Sequence, residues 1–187
     1  MRLIFWEVRV KCLKKTLMIA PDTNTDIMSV PIIQLMNNGA PQDLLKTILD
    51  DVLSLCRQTF KTRLVSVVLF GSYAQGTASP ESDIDLLVIV QQLPADPEPV
   101  EKLLDSIEIP ILKKYHRCVS VILTTPEAVQ NEVNRENPLF FGIWTGYSVL
   151  LDSGDFFRNC MEIVRHHIQR SKPVFIDGRR RWNLAEI

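Results

Sequence analysis

The stretch LVSVVLFGSYAQGTASPESDIDLLVIV, residues 64–90, decides the fold of this chain. Two apolar runs of strand length, Leu64–Phe70 and residues 86–90, are separated by a glycine bend and a loop of small polar residues. Nearly continuous apolar strands are typical of a sheet that is covered by other chain on its faces. The order of helical and apolar segments around them predicts an α/β or α+β domain, with a small mixed sheet flanked by helices.

Two carboxylates open the second apolar run. Asp83 and Asp85 are two residues apart, so on a strand they project from one face about 6–7 Å apart, while Ile84 faces the other way. At about 5 Å and an effective dielectric of about 20, two such charges repel by roughly 3 kcal/mol, and a bound cation removes that cost. Oxygen ligands at the mouth of a strand suit a hard ion, above all Mg²⁺.

The bend at Gly71-Ser72 complements this pair. Glycine allows a sharp turn and a close approach of the backbone to a ligand. The Ser72 hydroxyl and the backbone N–H groups that follow it can hold phosphate oxygens where a short helix begins. Ser82, next to the carboxylates, either braces them by local hydrogen bonding or caps the turn before them.

These residues resemble a known signature. GSYAQG at residues 71–76, followed by SDIDL at residues 82–86, is similar to the motif of the DNA polymerase beta nucleotidyltransferase superfamily, and most of all to its minimal nucleotidyltransferases. The resemblance implies a nucleotidyltransferase fold and transfer of a nucleoside monophosphate, AMP from ATP, to a protein or small-molecule hydroxyl. It also implies a role as the antitoxin of a helical HEPN-type toxin.

The resemblance assigns roles to residues of this chain. Asp83 and Asp85 are the expected catalytic and metal-binding pair; the family uses two Mg²⁺ ions, and we expect one here. The expected nucleotide-binding residues are Gly71, Ser72, Tyr73, Gln75, Gly76 and Ser82.

One departure from the family pattern concerns a third carboxylate on a later strand. Ser120 stands at that position, and a serine hydroxyl is a weak neutral ligand that cannot act as a base near pH 7. Glu81, Asp105 or Glu127 could approach from elsewhere instead. The alternative function is a catalytically degenerate module that binds nucleotide or a partner protein. A third reading, modification of an aminoglycoside, leaves little chain for the helical domain of the larger relatives.

Composition limits the remaining classes. The net charge of −1 argues against a general polyanion binder, so nucleic acid is not the expected partner. Four widely spaced cysteines, Cys12, Cys56, Cys118 and Cys160, form no Cys-x-x-Cys pair and predict reduced core thiols in a cytoplasmic protein. Charges interrupt the first 20 residues, which excludes a convincing signal peptide or membrane span.

The remaining chain divides into three parts. Residues 1–36 are interpreted as an N-terminal extension with an extra strand and a linker, of which residues 1–28 need not belong to the native protein. Residues 37–171 form the nucleotidyltransferase domain, and residues 172–187 a basic tail. Within the domain, a short helix over residues 100–107 should end before Pro110, the basic stretch at residues 113–117 should be a solvated turn or a phosphate contact, and Thr125-Pro126-Glu127 should start a helix. The sequence allows either a monomer or an oligomer.

Overall fold

The computed structural model describes residues 41–171, 174–176 and 181–183. The predicted N-terminal extension lies outside these residues. The described elements, in chain order, are the helices α1 (Pro41–Phe60), α2 (Gly71–Ala74), α3 (Pro97–Tyr115), α4 (Pro126–Asn134), α5 (Pro138–Trp144) and α6 (Phe156–Ser171), and the strands β1 (Leu64–Phe70), β2 (Ile84–Val90), β3 (Val119–Thr124), β4 (Ser148–Asp152), β5 (Val174–Ile176) and β6 (Arg181–Asn183).

Four strands form a mixed sheet in the order β3-β2-β1-β4. β1 is antiparallel to both of its neighbours, β2 and β4, whereas β3 runs parallel to β2. A parallel pair needs a crossover connection, and α3 supplies it. The predicted mixed sheet with flanking helices is confirmed. Within the predicted basic tail, β5 and β6 pair as a separate antiparallel hairpin.

Both faces of the sheet are covered, as the apolar strands predict. One face carries a core cluster that includes residues of α1, α3 and the strands, such as Val52, Ile84 and Ile107. The other face carries a second cluster with residues of α4, α5 and α6, among them Phe141 and Phe157. The six residues from Leu64 to Leu69 of the central strand β1 are all buried.

The structure corrects the prediction for residues 97–115. α3 continues through Pro110 to Tyr115 and does not end after residue 107. Proline removes one helical hydrogen bond and disfavours such a helix. Here Ile107 and Ile111, which lie one helical turn apart on either side of Pro110, are both buried in the first core cluster. Tertiary packing therefore overrides the local penalty.

Helix starts follow the sequence more closely. Thr125 caps α4 by accepting a hydrogen bond from the Ala128 N–H at 3.3 Å, and Pro126 occupies the first turn. Asp152 caps α6: its two carboxylate oxygens accept the N–H groups of Phe157 at 2.9 Å and Arg158 at 3.1 Å. Each cap satisfies N–H groups that have no partner inside the helix.

The outer strands are each held by a side chain from elsewhere. On β3, the Val121 N–H donates to the Glu108 carboxylate of α3 at 3.2 Å. Between β1 and β4, the fully buried Ser66 donates its hydroxyl to Asp152 at 2.6 Å. Ser66 and Asp152 are also partners in the strand register.

The cysteines agree with the prediction at two positions. Cys56 and Cys160 are free and buried, and burial raises the pKa of Cys56 to about 12. Cys118 is disulfide-bonded, so the expectation of reduced thiols is wrong for this residue. Among the described residues, no helix combines the length and the apolar character that crossing a membrane requires.

Candidate active site

The two aspartates flank the first residue of β2. Ile84 is buried in the first core cluster, while Asp83 and Asp85 are half-buried. Because side chains alternate along a strand, the two carboxylates belong to the opposite side from Ile84. The Ile84 N–H donates to the Cys118 carbonyl at 3.0 Å, which fixes the start of β2 against the chain entering β3.

Gly71 lies directly against one of these carboxylates. Phe70, the last residue of β1, is the register partner of Asp85, so the chain bends beside the acid. A Cβ atom added to Gly71 would stand 2.2 Å from Asp85 Oδ2 and 3.1 Å from its Cγ. Gly71 also has φ +72°, a conformation that side chains disfavour. Only glycine therefore brings the bend this close to the carboxylate.

The residues after Gly71 form one short helical turn and a braced loop. Ser72 is buried and Tyr73 packs against the first core cluster. The Gln75 N–H donates to the Gly71 carbonyl at 3.0 Å, and the Thr77 N–H to the Ser72 carbonyl at 2.9 Å. These backbone bonds hold the bend in a defined shape before the chain returns to Asp83.

Two further predicted nucleotide-binding residues lie on the loop between the bend and Asp83. Ser82 makes hydrogen bonds within the loop, and Gly76 has open space around it. Ser82 accepts the Ser79 N–H at 2.9 Å through its hydroxyl and donates its own N–H to the Ser79 carbonyl at 3.0 Å. Of the two interpretations of Ser82, the structure favours the turn cap. A Cβ atom on Gly76 would meet nothing within 4 Å, although φ is +70°.

Ser120 lies beside Asp85 on the neighbouring strand. The two residues are partners in the parallel register of β2 and β3, and partners in register share one face of a sheet. Val119 and Val121, on either side of Ser120, are buried in the first core cluster. Ser120 therefore belongs to the same face as Asp85, next to it in the sheet.

No other acid completes the pair in the part of the chain that the structure describes. Within it there is no group of three or more His, Cys, Asp or Glu residues that could hold a metal ion. Glu81 is exposed on the loop, Asp105 lies on α3, and Glu127 lies in the first turn of α4. Within the described residues, none of these three alternatives forms such a group with Asp83 and Asp85.

The basic stretch at the end of α3 serves the fold at two positions. Lys114 and the Tyr115 hydroxyl each bond the Asp51 carboxylate of α1 at 2.6 Å. These bonds, from Lys114 first, lower the pKa of Asp51, and the same carboxylate raises the pKa of Lys114. Arg117 donates to the Pro80 carbonyl, so it holds the loop that leads to Asp83.

Comparison with known proteins agrees with this geometry. The family described as "Nucleotidyltransferase domain" matches residues 49–143, a range that contains the glycine bend and both aspartates. A protein of Methanocaldococcus jannaschii, whose provisional name is protein adenylyltransferase MJ1305, is 39% identical over 146 residues, 78% of this chain and 98% of the relative. The chain belongs to the nucleotidyltransferase domain family. The resemblance predicted from GSYAQG and SDIDL is confirmed.

Further relatives are more distant or shorter. A second provisionally named protein adenylyltransferase of the same organism is 50% identical over 34 residues, 18% of this chain and 34% of the relative. Among solved structures, a toxin-antitoxin with AMP-PNP is 20% identical and has a TM-score of 0.44, covering 66% of this chain and 91% of its own. A spectinomycin adenyltransferase of Enterococcus faecialis with ATP and spectinomycin is 18% identical, with a TM-score of 0.48 and coverages of 67% and 65%.

Sequence reasoning missed two contacts that shape this site. The Gln75 side chain donates to the Thr145 hydroxyl at 2.7 Å across 70 residues of sequence, and Arg117 reaches Pro80 across 37. Neither pair has a signal in local periodicity or motif spacing. A glycine next to Thr145, at position 146, is the only local sign that another segment approaches closely there.

Proposed function

We propose that this nucleotidyltransferase moves AMP from ATP to the hydroxyl of a protein, with release of pyrophosphate. The observation that carries the proposal is the approach of the Gly71 bend to Asp85, where an added Cβ would lie 2.2 Å from Oδ2. A glycine backbone in contact with a carboxylate lets a triphosphate on the bend and a cation on the carboxylate lie close together. The choice of adenylyl and of a protein acceptor is supported by the provisional name of the 39% identical relative.

The donor set fits Mg²⁺. Asp83 and Asp85 supply two carboxylates at the start of one strand, and Mg²⁺ binds through one or two carboxylates plus waters and substrate phosphates. Mg²⁺ held there supplies positive charge to the triphosphate and to the departing pyrophosphate. With Ser120 in place of a third acid, the residues fit one such ion better than two.

The residues of this chain then have distinct roles. Gly71 and Ser72 hold the triphosphate through backbone N–H groups and the serine hydroxyl. Asp83 and Asp85 carry the metal and orient the phosphate beside it. The proton of the acceptor hydroxyl passes to one of these aspartates or to water, because Ser120 cannot take it near pH 7.

The proposal also specifies which kind of protein accepts the AMP. Through its resemblance to the minimal nucleotidyltransferases, a HEPN-type helical toxin is the partner that we propose, in the cytoplasm. Co-purification of the neighbouring gene product, followed by mass analysis for an added AMP, tests this part alone.

One observation favours the second candidate, a module that binds nucleotide without turnover. Ser120 is beside Asp85 where the family expects an acid, and the described residues hold no cluster of three ligands. Loss of one carboxylate weakens attraction for a second ion and removes a base. Binding would survive this loss better than catalysis.

A single assay separates the two candidates. Purified protein is titrated with ATP and Mg²⁺ while pyrophosphate is followed, with and without the protein acceptor. The enzyme releases pyrophosphate with the acceptor present, and both EDTA and Asp83→Asn abolish the release. Asp50→Asn, an exposed aspartate on α1, is the matched control and should behave as wild type. ATP binding without release under all conditions would instead establish the module.

A further inference from the structure

The side chain of Gln75 is engaged with the protein. Its Nε2 donates to the Thr145 Oγ1 at 2.7 Å, at the corner between α5 and β4. The Thr145 hydroxyl itself donates to the Gly142 carbonyl at 2.6 Å. Since the single hydroxyl proton is committed to Gly142, a lone pair of Thr145 faces Gln75, and the amide must present its N–H₂ side.

Gly146 makes room for this contact. A Cβ atom at position 146 would lie 2.7 Å from Gln75 Cγ, 3.2 Å from Gln75 Cα and 3.4 Å from the Ala74 carbonyl oxygen. The chain around α2 therefore rests directly on the backbone of the corner. The absence of a side chain at Gly146 is as necessary to this contact as the hydrogen bond.

The α5–β4 corner is anchored in the hydrophobic core. Phe140, Phe141 and Ile143 of α5 are at most 3% exposed and belong to the second core cluster. The Gly146 N–H donates to the Ile143 carbonyl at 3.0 Å. A contact anchored in a close-packed core transmits position, since such an interior deforms little.

The support reaches the acid pair through a short chain of contacts. The Gln75 N–H donates to the Gly71 carbonyl at 3.0 Å, and Gly71 is the residue whose missing Cβ leaves room for Asp85 Oδ2. Thr145 and Gly146 thus hold one end of the bend, and Asp85 faces the other. A shift of Gln75 would displace the bend relative to the carboxylate.

We propose that Gln75 is a positioning residue that fixes the triphosphate-binding bend against the α5–β4 corner through Thr145 and Gly146. This inference rests on the proposed function, because the bend matters only if it holds a triphosphate. It also replaces the expectation that the Gln75 side chain binds the nucleotide itself. Removing the contact should loosen the bend and weaken nucleotide binding, while Asp83 and Asp85 remain able to act.

The test compares Gln75→Ala, Thr145→Val and the double variant. Each single variant should raise the KM for ATP about fivefold, the effect of one hydrogen bond, with kcat within about twofold of wild type. The double variant should also show about a fivefold rise, because both changes remove the same bond. Thr145→Ser keeps the hydroxyl and should restore the KM. Thr47→Val, an exposed threonine on α1 whose hydroxyl bonds only its own helix, is the matched control.

Gly146→Ala gives an independent arm. The added methyl should displace Gln75 and raise the KM for ATP by more than the loss of the hydrogen bond does, and Gln75→Ala in the same chain, which removes Cγ, should bring the KM back to that of Gln75→Ala alone. A purely structural contact would lower the thermal unfolding midpoint and leave the KM unchanged, and additive single effects would also overturn the inference. If wild type neither binds ATP nor releases pyrophosphate, the proposed function fails and this role fails with it. If the wild-type protein is active and Gln75→Ala leaves the KM for ATP unchanged, the positioning role of Gln75 is overturned while the proposed function stands.

Discussion

The central strand β1 has an aspartate beside each end, and the two are treated in opposite ways. Near its start, Asp152 receives the Ser66 hydroxyl at 2.6 Å and two N–H groups from the first turn of α6. At its end, Asp85 faces Gly71, a residue with no side chain and a φ of +72°. The Asp152 carboxylate accepts three hydrogen bonds from Ser66 and the start of α6, and the Asp85 carboxylate lies against a backbone position that only glycine can occupy.

This difference separates an aspartate of the fold from an aspartate of the proposed site. The bonds to Asp152 satisfy a buried serine and the start of a helix, so its contribution should appear as stability. Glycine adopts the positive φ of Gly71 at little steric cost, and its missing Cβ leaves room for the Asp85 carboxylate directly beside the bend. Two aspartates on the strands that flank β1 can thus be distinguished by the groups that lie next to each carboxylate.

The largest expected effect comes from adding a side chain at Gly71, where it would collide with the Asp85 carboxylate. Gly71→Ala should lower pyrophosphate release at least about a hundredfold, because the methyl displaces the carboxylate that would hold the metal ion, and a bound metal ion stabilises the transition-state charge by several kcal/mol. Gly154→Ala is the matched control: its φ is +65°, but its Cβ would meet nothing within 4 Å. It should cost about 1 kcal/mol of stability and leave most of the activity. Equal losses in the two variants would show that backbone strain, and not the carboxylate, governs position 71.

The complementary change removes the aspartate of the fold. Asp152→Ala should lower the free energy of unfolding by about 2–4 kcal/mol, since it leaves buried Ser66 unpaired and α6 uncapped. Activity per folded molecule should be retained. Urea denaturation measures the loss, with Asp50→Ala as an exposed control expected within about 0.5 kcal/mol of wild type. An Asp152→Ala protein as stable as the control would refute the assignment.

Adding an acid next to Asp85 should sharpen the site. Ser120→Asp places a third carboxylate at the register position of Asp85 and should raise activity about tenfold at limiting Mg²⁺, which corresponds to about 1.4 kcal/mol of tighter ion binding. Ser120→Asn has nearly the same size without the charge and serves as the control. The prediction is wrong if both variants respond alike to a Mg²⁺ titration.

The smallest effect concerns the thiol near Asp152. Burial, and then the charge of Asp152, raise the pKa of Cys160 to about 11, so little thiolate exists at pH 8. Asp152→Asn removes the charge, lowers this pKa and should speed alkylation of Cys160 a few fold. Cys56, whose pKa of about 12 is due to burial alone, should not change. Peptide mass analysis after timed labelling follows both residues, and equal acceleration at both would indicate general loosening instead.

Local signals were sufficient for the elements around the site. The apolar runs predicted β1 and β2, the Thr125-Pro126 start predicted α4, and the alignment of Ser120 with the third-acid position agrees with its place beside Asp85. In each case the cause is local: alternation, a capping hydroxyl or the order of a motif. The family followed from the same residues.

Contacts between distant segments decided what the sequence left open. α3 passes through Pro110 because Ile107 and Ile111 are buried in a core that α1 and the sheet complete. The partner of Gln75 is 70 residues away, and the partner of Lys114 is 63. Propensity and motif spacing carry no information about such pairs, since tertiary packing brings them together.

The Glu108 carboxylate on the Val121 N–H has a consequence for how copies of this protein meet one another. β3 is an outermost strand of its sheet, and exposed main-chain groups on such a strand can recruit a strand from another molecule. With a charged acceptor already on that N–H, an incoming strand would have to displace it before pairing there. The Glu108 side chain thus disfavours edge-to-edge aggregation through this strand.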